Sequence, residues 1–216
     1  GISLTKEDRA GISRIYIVAC GTAYHAGLVG KYVIERLAKI PVEVDVASEF
    51  RYRDPLVDDR TLFIAISQSG ETLDTLAALR EAKRAGCRVL SVVNVVGSTI
   101  ATESDDVLYT WAGPEISVAS TKAYSTQLAV IYLLALYIGE QLGKFTQEQL
   151  SAYIAALEKL PEQIDEMLKH KENIQFFASK YFNASDMYFI GRNVDYAASL
   201  EASLKLKEIS YIHSEA

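Results

Sequence analysis

Short, mainly apolar runs alternate with amphipathic stretches through the first half of the chain. Five runs predict strands, namely Ile15–Ala19, Val42–Ala47, Leu62–Ile66, Arg88–Asn94 and Val107–Trp111. They are apolar at consecutive positions, which is typical of strands buried on both faces. Helical patterns at Tyr24–Lys39 and Thr72–Ala85 lie between them, and Gly86 is the predicted C-terminal cap of the second. This order predicts an α/β fold, a three-layer α/β/α sandwich with a five-stranded parallel sheet.

Helical patterns dominate the stretch that follows. One long helix is predicted at Ser120–Leu142, and two more follow at Thr146–His170 and Lys171–Lys180. Pro161 lies inside the second of these three and should kink or split it. The longest apolar run, Leu128–Ile138, is shorter than the roughly 20 residues that a helix needs to cross a bilayer, and it predicts a buried helix.

The strand–helix pattern then restarts near the end of the chain. Met187–Arg192 predicts a sixth strand and Tyr196–Tyr211 a helix, and at an offset of 172 positions they resemble the first strand and helix. The matched pairs are Tyr16 with Tyr188, Val18 with Ile190, Tyr24 with Tyr196, Ala26 with Ala198 and Leu28 with Leu200. We expect a first domain at 1–145, a helical linker at 146–182 and the start of a second copy at 183–216. We expect no further strand in the final H-S-E-A, and therefore a fragment of a longer protein.

Composition and charge exclude several classes of protein. Half of the residues are apolar and the net charge is −6, so a sizeable core is expected and nucleic-acid binding is not. The two cysteines form no CxxC motif and the three histidines are scattered, so neither a disulfide framework nor a metal site is expected. The N-terminus lacks the apolar core of a signal peptide. We expect a soluble, cytoplasmic protein that is not bound to a membrane and needs no cofactor.

A hydroxyl-rich corner lies between the third strand and the following helix. Ser67–Thr72 reads S-Q-S-G-E-T. Ligands of parallel sheets bind at the carboxyl ends of the strands, and the free N–H groups of a helix N-terminus favour an anion, particularly a phosphate. Gly70 would allow close backbone approach. The alternative is helix capping, with Ser69 as the N-cap and Thr72 three residues later.

Two further corners carry hydroxyl groups. Cys20–Thr22 follows the first strand, and Val118–Lys122 precedes the long helix, so the three corners are predicted to converge on one crevice. Lys122 is alternatively an ordinary first-turn lysine, either solvated or paired with Glu115. The chain has no GxxxxGK[ST] motif, and its glycines do not have the GxGxxG spacing, which argues against ATP and dinucleotides.

A carboxylate–lysine pair on the last helix has two interpretations. Glu201, Lys205 and Glu208 share one helix face because they are four and three residues apart. They form either a solvated ion-pair ladder or an acid–base pair. In the second case Glu208 is a general base for proton transfer between C1 and C2 of a sugar, and Lys205 sets its ionisation or stabilises developing negative charge.

Four sequence blocks together resemble a known family. The blocks C-G-T, S-Q-S-G-E-T, V-A-S-T-K-A and L-K-L-K-E-I-S-Y-I-H-S-E-A are similar to the isomerase portion of the glucosamine-6-phosphate synthases, the glutamine–fructose-6-phosphate amidotransferases. This portion is built from two sugar isomerase (SIS) domains of flavodoxin-like fold. The resemblance covers nearly the whole chain. S-x-S-G-E-T alone is common to the SIS superfamily, whereas the last block is typical of the synthases.

The resemblance implies roles for particular residues. Glu208 would be the isomerisation base and Lys205 its companion. The sugar phosphate would be held by Ser67, Gln68, Ser69 and Thr72, and the sugar by Thr22, Val118 and Ser120. The family usually has a hydroxyl residue where this chain has Ala23, so one hydrogen bond to the ligand would be lost.

The resemblance also implies an activity and a partner. The parent would convert fructose 6-phosphate and glutamine to glucosamine 6-phosphate and glutamate, as a homodimer. The glutaminase domain, a later histidine for ring opening and a C-terminal lysine would lie outside this chain. We therefore expect weak binding of fructose 6-phosphate or glucose 6-phosphate and no complete reaction. The alternatives are a non-catalytic SIS module that senses a phosphosugar and a structural module that dimerises through the Leu128–Ile138 helix.

Overall fold

A five-stranded parallel sheet forms the centre of the molecule. The computed structural model describes residues 2–3 and 11–216. The strand order is β2-β1-β3-β4-β5, and every neighbouring pair runs parallel. The strands are β1 Arg14–Ala19, β2 Val42–Val46, β3 Thr61–Ser67, β4 Arg88–Val93 and β5 Asp106–Tyr109. This sheet confirms the predicted fold class.

Both faces of the sheet are covered by helices, which explains the continuous apolar runs. In β1, Ile15 and Ile17 point into the core on one face, whereas Tyr16 and Val18 point into a second core on the other. The first core is shared with α1 (Thr22–Ala38) and α5 (Lys122–Gln141). The second is shared with α2 (Ala47–Tyr52), α3 (Leu73–Arg84) and α4 (Thr99–Glu103). Three layers follow, as the sequence predicted.

Glycine allows α1 to approach its neighbours closely. A Cβ atom at Gly27 would lie 3.0 Å from Cγ2 of Ile17, and one at Gly30 would lie 3.2 Å from Cγ2 of Ile131 on α5. A larger residue at either position would separate α1 from the sheet or from α5. These glycines therefore serve helix packing.

The structure confirms several predicted helix boundaries. Gly86, with φ of 86°, ends α3, and the N–H of Cys87 donates to the carbonyl of Ala82 at 3.0 Å, as in a Schellman motif. The predicted break near Pro161 separates α6 (Gln147–Glu158) from α7 (Leu160–Leu168), and α8 (Lys171–Tyr181) follows.

Two short helices and the end of β5 differ most from the predictions, whereas the other strands of this sheet differ by one residue at one or both ends. The sequence analysis did not predict α2 or α4, because six and five residues are too few to show a helical period. It extended β5 to Trp111, but Trp111 has φ of 54°, in the left-handed region that a strand cannot contain, and its side chain is exposed.

The last segment repeats the first strand–helix unit at the predicted offset. It contains β6 (Asp186–Tyr188), α9 (Val194–Ser210) and β7 (His213–Glu215). The prediction that no strand follows α9 is wrong, because β7 pairs in parallel with β6. β6 is shorter than predicted, since β7 offers only three residues for pairing. The domain boundaries at 145 and 182 stay a prediction.

The helices α6 to α8 contribute little to the core. No residue of α7 or α8 is buried, and apolar side chains such as Met167 and Phe182 are exposed. Among the described residues, no helix is long and apolar enough to cross a membrane.

Candidate functional site

A polar cavity of about 230 Å³ lies at the carboxyl ends of β1 and β3. Its size is below the about 300–1,000 Å³ of pockets for drug-sized ligands, which favours a small ligand. All three hydroxyl-bearing corners reach it, so the structure brings them together as the sequence predicted. The lining residues are Cys20, Thr22, Ala23, Ile66, Ser67, Gln68, Ser69, Thr72, Glu115, Ser117, Val118, Ser120, Ala123 and Gln127.

The corner after β3 is braced by its own hydroxyl groups. The oxygen of Ser67 accepts a hydrogen bond from the N–H of Gly70 at 3.0 Å, and it lies 3.0 Å from Oγ1 of Thr72. One of the two hydroxyl hydrogens is used within the Ser67–Thr72 pair, so the other is available to a ligand. The corner is thus both preorganised and able to donate.

Gly70 is required by geometry at this corner. Its φ is 67°, and a Cβ atom there would lie 2.0 Å from Oγ of Ser98. The carbonyl of Gly70 also accepts from the N–H of Ile100 at 3.0 Å. Close contact with the α4 segment therefore excludes any side chain at this position.

The capping interpretation of this corner assigned the N-cap to the wrong residue. The N-cap of α3 is Thr72, whose side chain makes no capping hydrogen bond, and Ser69 accepts instead from the N–H of Glu71 at 3.1 Å. Glu71 reaches the start of α4, where the N–H of Thr99 donates to its carboxylate at 2.7 Å and lowers the pKa of Glu71 below its usual value. The hydroxyl of Ser69 is thus not used to cap the helix.

The corner after β1 connects the cavity to the distant helix α9. Gly21, at φ 55° and ψ −130°, begins α1 and places Thr22 in the cavity wall. The hydroxyl of Thr22 donates to Oε1 of Glu201 at 2.9 Å. Since that hydrogen is used, the Thr22 oxygen faces a ligand as an acceptor.

Glu201 is the centre of a buried polar cluster that the sequence analysis missed. It is only 5% exposed, and besides Thr22 it binds Nδ1 of His25 at 2.7 Å and Nζ of Lys205 at 3.5 Å. The interpretation as a solvated ladder is therefore wrong for Glu201. The sequence showed that Glu201 and Glu208 lie on the same face of the helix. It contained no local signal that Glu201 would bind His25, which is 176 residues away.

The predicted acid–base pair forms, but it lies outside the cavity lining. Nζ of Lys205 contacts Oε2 of Glu208, and the side chain of Glu208 is 31% exposed. Neither residue lines the cavity. Lys205 connects the pair to Glu201 and, through Thr22, to the cavity wall.

The corner before α5 forms the exposed rim. Val118 is 93% exposed, and the hydroxyl of Ser120 donates to the carboxylate of Glu115. That bond lowers the pKa of Glu115, which stays ionised at neutral pH. Lys122 donates to the carbonyl of Pro114, and its charge also helps to lower the pKa of Glu115.

The cavity combines helix N-termini with one ionised carboxylate, because Glu115 is the only charged residue among the described residues that line it. No Lys or Arg side chain is among the described residues that line it, whereas α1, α3 and α5 all begin at its wall. Helix N-termini carry a partial positive charge and free N–H groups. Where a hydroxyl residue was expected from the resemblance, Ala23 presents a methyl group. No group of three His, Cys, Asp or Glu in the described parts of the chain is placed to hold a metal ion.

Comparisons with known proteins identify a shared sequence pattern and fold. The pattern of the SIS domain matches residues 10–137. A glutamine–fructose-6-phosphate aminotransferase (isomerizing) from Caldanaerobacter subterraneus subsp. tengcongensis is 61% identical over 215 residues, which are 100% of this chain and 35% of that protein. The chain therefore spans about a third of the length of this relative.

Two solved structures resemble all or nearly all of the chain. The C-terminal domain of glucosamine-fructose-6-phosphate aminotransferase from Francisella tularensis superimposes with a TM-score of 0.95 and 41% identity, over 100% of this chain and 61% of that one. Glucosamine-6-phosphate deaminase from Thermotoga maritima gives a TM-score of 0.78 and 27% identity, over 94% of this chain and 60% of that one.

Proposed function

The chain belongs to the SIS domain family, and on that premise we propose that its cavity binds a hexose 6-phosphate. The observation that carries this proposal is the convergence of three hydroxyl-bearing corners and three helix N-termini on one small cavity. Such a cavity offers N–H and O–H donors to a phosphate without a basic residue. The parent enzyme would convert fructose 6-phosphate and glutamine to glucosamine 6-phosphate and glutamate, as the name of the 61% identical relative suggests.

The phosphate is proposed to lie against the corner after β3. Ser67 and Thr72 together have one hydroxyl hydrogen to donate, and Ser69 has another that its bond with Glu71 leaves unused. The side-chain amide of Gln68 adds a further donor. Gly70 keeps the backbone open to close approach. These four polar residues would share the negative charge with the N-terminus of α3.

The sugar is proposed to lie between the other two corners. Thr22 and Ser120 each use their hydroxyl hydrogen on a carboxylate, so both oxygens would accept from sugar hydroxyl groups. Val118 would contact the sugar at the rim. This division places acceptors at the sugar end and donors at the phosphate end.

The proposed chemistry is the transfer of a proton between C1 and C2 of the open-chain sugar. The carboxylate of Glu208 would take the proton from C1 of the ketose and return it to C2, while a second proton moves from the C1 hydroxyl to the C2 oxygen, which produces the aldose form without a net change in protons. Lys205 would hold this carboxylate through their ion pair. The buried Glu201 fixes Lys205 from its other side and so connects the base to the cavity wall.

Thermal unfolding with added ligand tests the binding proposal. Fructose 6-phosphate and glucose 6-phosphate should raise the Tm in a saturable manner, and by more than inorganic phosphate at equal concentration. Ser67→Ala should weaken sugar-phosphate binding by about tenfold, because it removes the hydroxyl pair of the corner. Ser91→Ala is the matched control, since Ser91 is also a buried strand serine but does not line the cavity. Equal shifts with the two variants would contradict the proposal.

The alternative of a non-catalytic phosphosugar sensor is favoured by one observation, the position of Glu208 outside the cavity lining. In the full-length enzyme, Glu208→Gln should abolish isomerisation and leave the Kd of the sugar phosphate nearly unchanged. Isomerisation that survives this substitution would support the sensor.

We also propose a homodimer in the cytoplasm. The structural alternative, dimerisation through Leu128–Ile138, has less support, because Ile131, Leu134, Leu136 and Ile138 of that helix are buried within this chain. A module with that role alone would show no thermal shift with either hexose phosphate.

A further inference from the structure

Gln127 is a buried amide in the wall of the cavity. It lies on α5, one turn after Ala123, and both residues line the cavity. Gln127 is 2% exposed, whereas the rim residue Val118 is 93% exposed. Its buried neighbours in the lining include Ile66 and Ala123, which carry no polar side-chain atom. Gln127 therefore supplies a buried amide to the wall of the cavity that α5 forms.

The side-chain oxygen of Gln127 has no hydrogen-bond partner in the protein. Four buried side-chain atoms in the described ranges lack a partner, namely Ser91 Oγ, Ser98 Oγ, Tyr124 Oη and Gln127 Oε1. Of these four residues only Gln127 lines the cavity. Buried amide oxygens are nearly always hydrogen-bonded, and leaving one unpaired destabilises the fold. A buried, unpaired oxygen on a side chain that lines a ligand cavity has a natural partner in the ligand.

We infer that Gln127 recognises a hydroxyl group of the sugar from the α5 wall of the cavity and so contributes to the choice among phosphorylated ligands. This inference rests on the proposed function, because it assigns a role within the same site. An amide oxygen accepts hydrogen bonds, and a sugar hydroxyl is a donor, whereas a phosphate dianion has no hydrogen to donate. The corner after β3 serves the phosphate, and α5 forms a different wall of the cavity. The amide thus matches the sugar end of the ligand.

Removal of the amide separates this role from a structural one. Gln127→Leu replaces the amide with an apolar group of similar size and also removes the unpaired buried oxygen. We expect the variant to have an unchanged or higher Tm without ligand, and a Kd for glucose 6-phosphate that is about tenfold weaker. The Kd for inorganic phosphate should stay the same. Gln141→Leu is the control, because Gln141 lies on the same helix and is exposed.

A series of deoxy sugars identifies the hydroxyl and keeps the test valid if Gln127→Leu fails to fold. Calorimetric titrations of the wild-type chain with 1-, 2-, 3- and 4-deoxy analogues of glucose 6-phosphate should show one position where the loss of the hydroxyl weakens binding. In Gln127→Leu, the analogue that lacks this hydroxyl should bind as tightly as glucose 6-phosphate does. The shorter amide variant Gln127→Asn replaces Gln127→Leu in this comparison if the leucine variant is unfolded.

Several outcomes would overturn the inference. One is a Gln127→Leu variant that binds glucose 6-phosphate as tightly as wild type. Another is an equal loss for sugar phosphate and inorganic phosphate, which would place the amide at the phosphate. Deoxy analogues that all bind equally would also contradict it. If the wild-type chain itself binds no hexose phosphate, the proposed function fails. This result differs from the three outcomes above, because each of them requires that the wild-type chain binds the sugar phosphate.

Discussion

The unit β1–α1–β2 and the unit β6–α9–β7 have the same backbone but different surroundings. Equivalent positions lie 172 residues apart throughout. The strands begin at Arg14 and Asp186, the helices span Thr22–Ala38 and Val194–Ser210, and the left-handed C-caps are Lys39 and Tyr211. The N-caps agree in backbone conformation as well, with Gly21 at φ 55° and ψ −130° and Asn193 at φ 62° and ψ −126°.

Only the first unit faces the cavity. β1 is flanked by β2 and β3 and is buried, whereas β6 pairs with β7 alone and Tyr188 is exposed. The first two helical residues are Thr22 and Ala23 in α1, whereas they are Val194 and Asp195 in α9. A strand–turn–helix backbone therefore supplies free N–H groups in both places. The side chains of the first turn and the neighbouring corners decide which place is suited to a phosphosugar.

The largest effect is expected when the first turn of α1 is given a carboxylate at the position that Asp195 occupies in α9. Ala23→Asp places a carboxylate in the cavity wall, and two like charges about 4 Å apart repel by about 4 kcal/mol at an effective dielectric constant of about 20. We expect binding of glucose 6-phosphate to weaken by at least about 100-fold, as measured by calorimetric titration. Ala23→Asn is the control for side-chain size, because asparagine is as large as aspartate but uncharged. Asp195→Ala is the control for a change of charge at the equivalent position of α9, which does not line the cavity. Retained binding in Ala23→Asp would show that a phosphate at the corner after β3 lies too far from this turn to be repelled by its charge.

An intermediate effect is expected when the hydroxyl of the first turn is replaced by its apolar counterpart. Thr22→Val removes an acceptor from the cavity and a donor from Glu201, so we expect about tenfold weaker sugar-phosphate binding and a lower Tm. Val194→Thr tests the reverse change and should produce no second binding event. A second site in that variant would mean that the turn is sufficient without its neighbours.

The smallest effect concerns the shared N-cap conformation. Glycine adopts this region freely, whereas other residues are strained there by about 1–3 kcal/mol. Asn193→Gly should raise the free energy of unfolding by about 1 kcal/mol after the entropic cost of glycine, and Gly21→Asn should lower it by about 1–2 kcal/mol. Urea unfolding measures both. Opposite signs would indicate that the two caps are not equivalent.

Local patterns were sufficient to predict most elements and the composition of the corners. The apolar runs, Pro161 and Gly86 each act through the backbone of their own segment, so the strands, the helix break and the cap could be read from neighbouring residues. The repeat was visible because identical side chains occur at one offset. In contrast, the helix α4 and the strand β7 were missed, since such short elements exist only through contacts with Gly70 and with β6.

The sequence by itself determined a parallel α/β sheet with hydroxyl groups at three corners next to helix starts, because strand and helix periodicity and turn chemistry are properties of adjacent residues. The tertiary structure alone decided that Glu201 is buried against Thr22 and His25, and that Gln127 lines the cavity and has a buried, unpaired oxygen. The physical reason is that a buried charge or amide is defined by what surrounds it. Those surroundings come from helices that are distant in the chain and meet only when the sheet is packed.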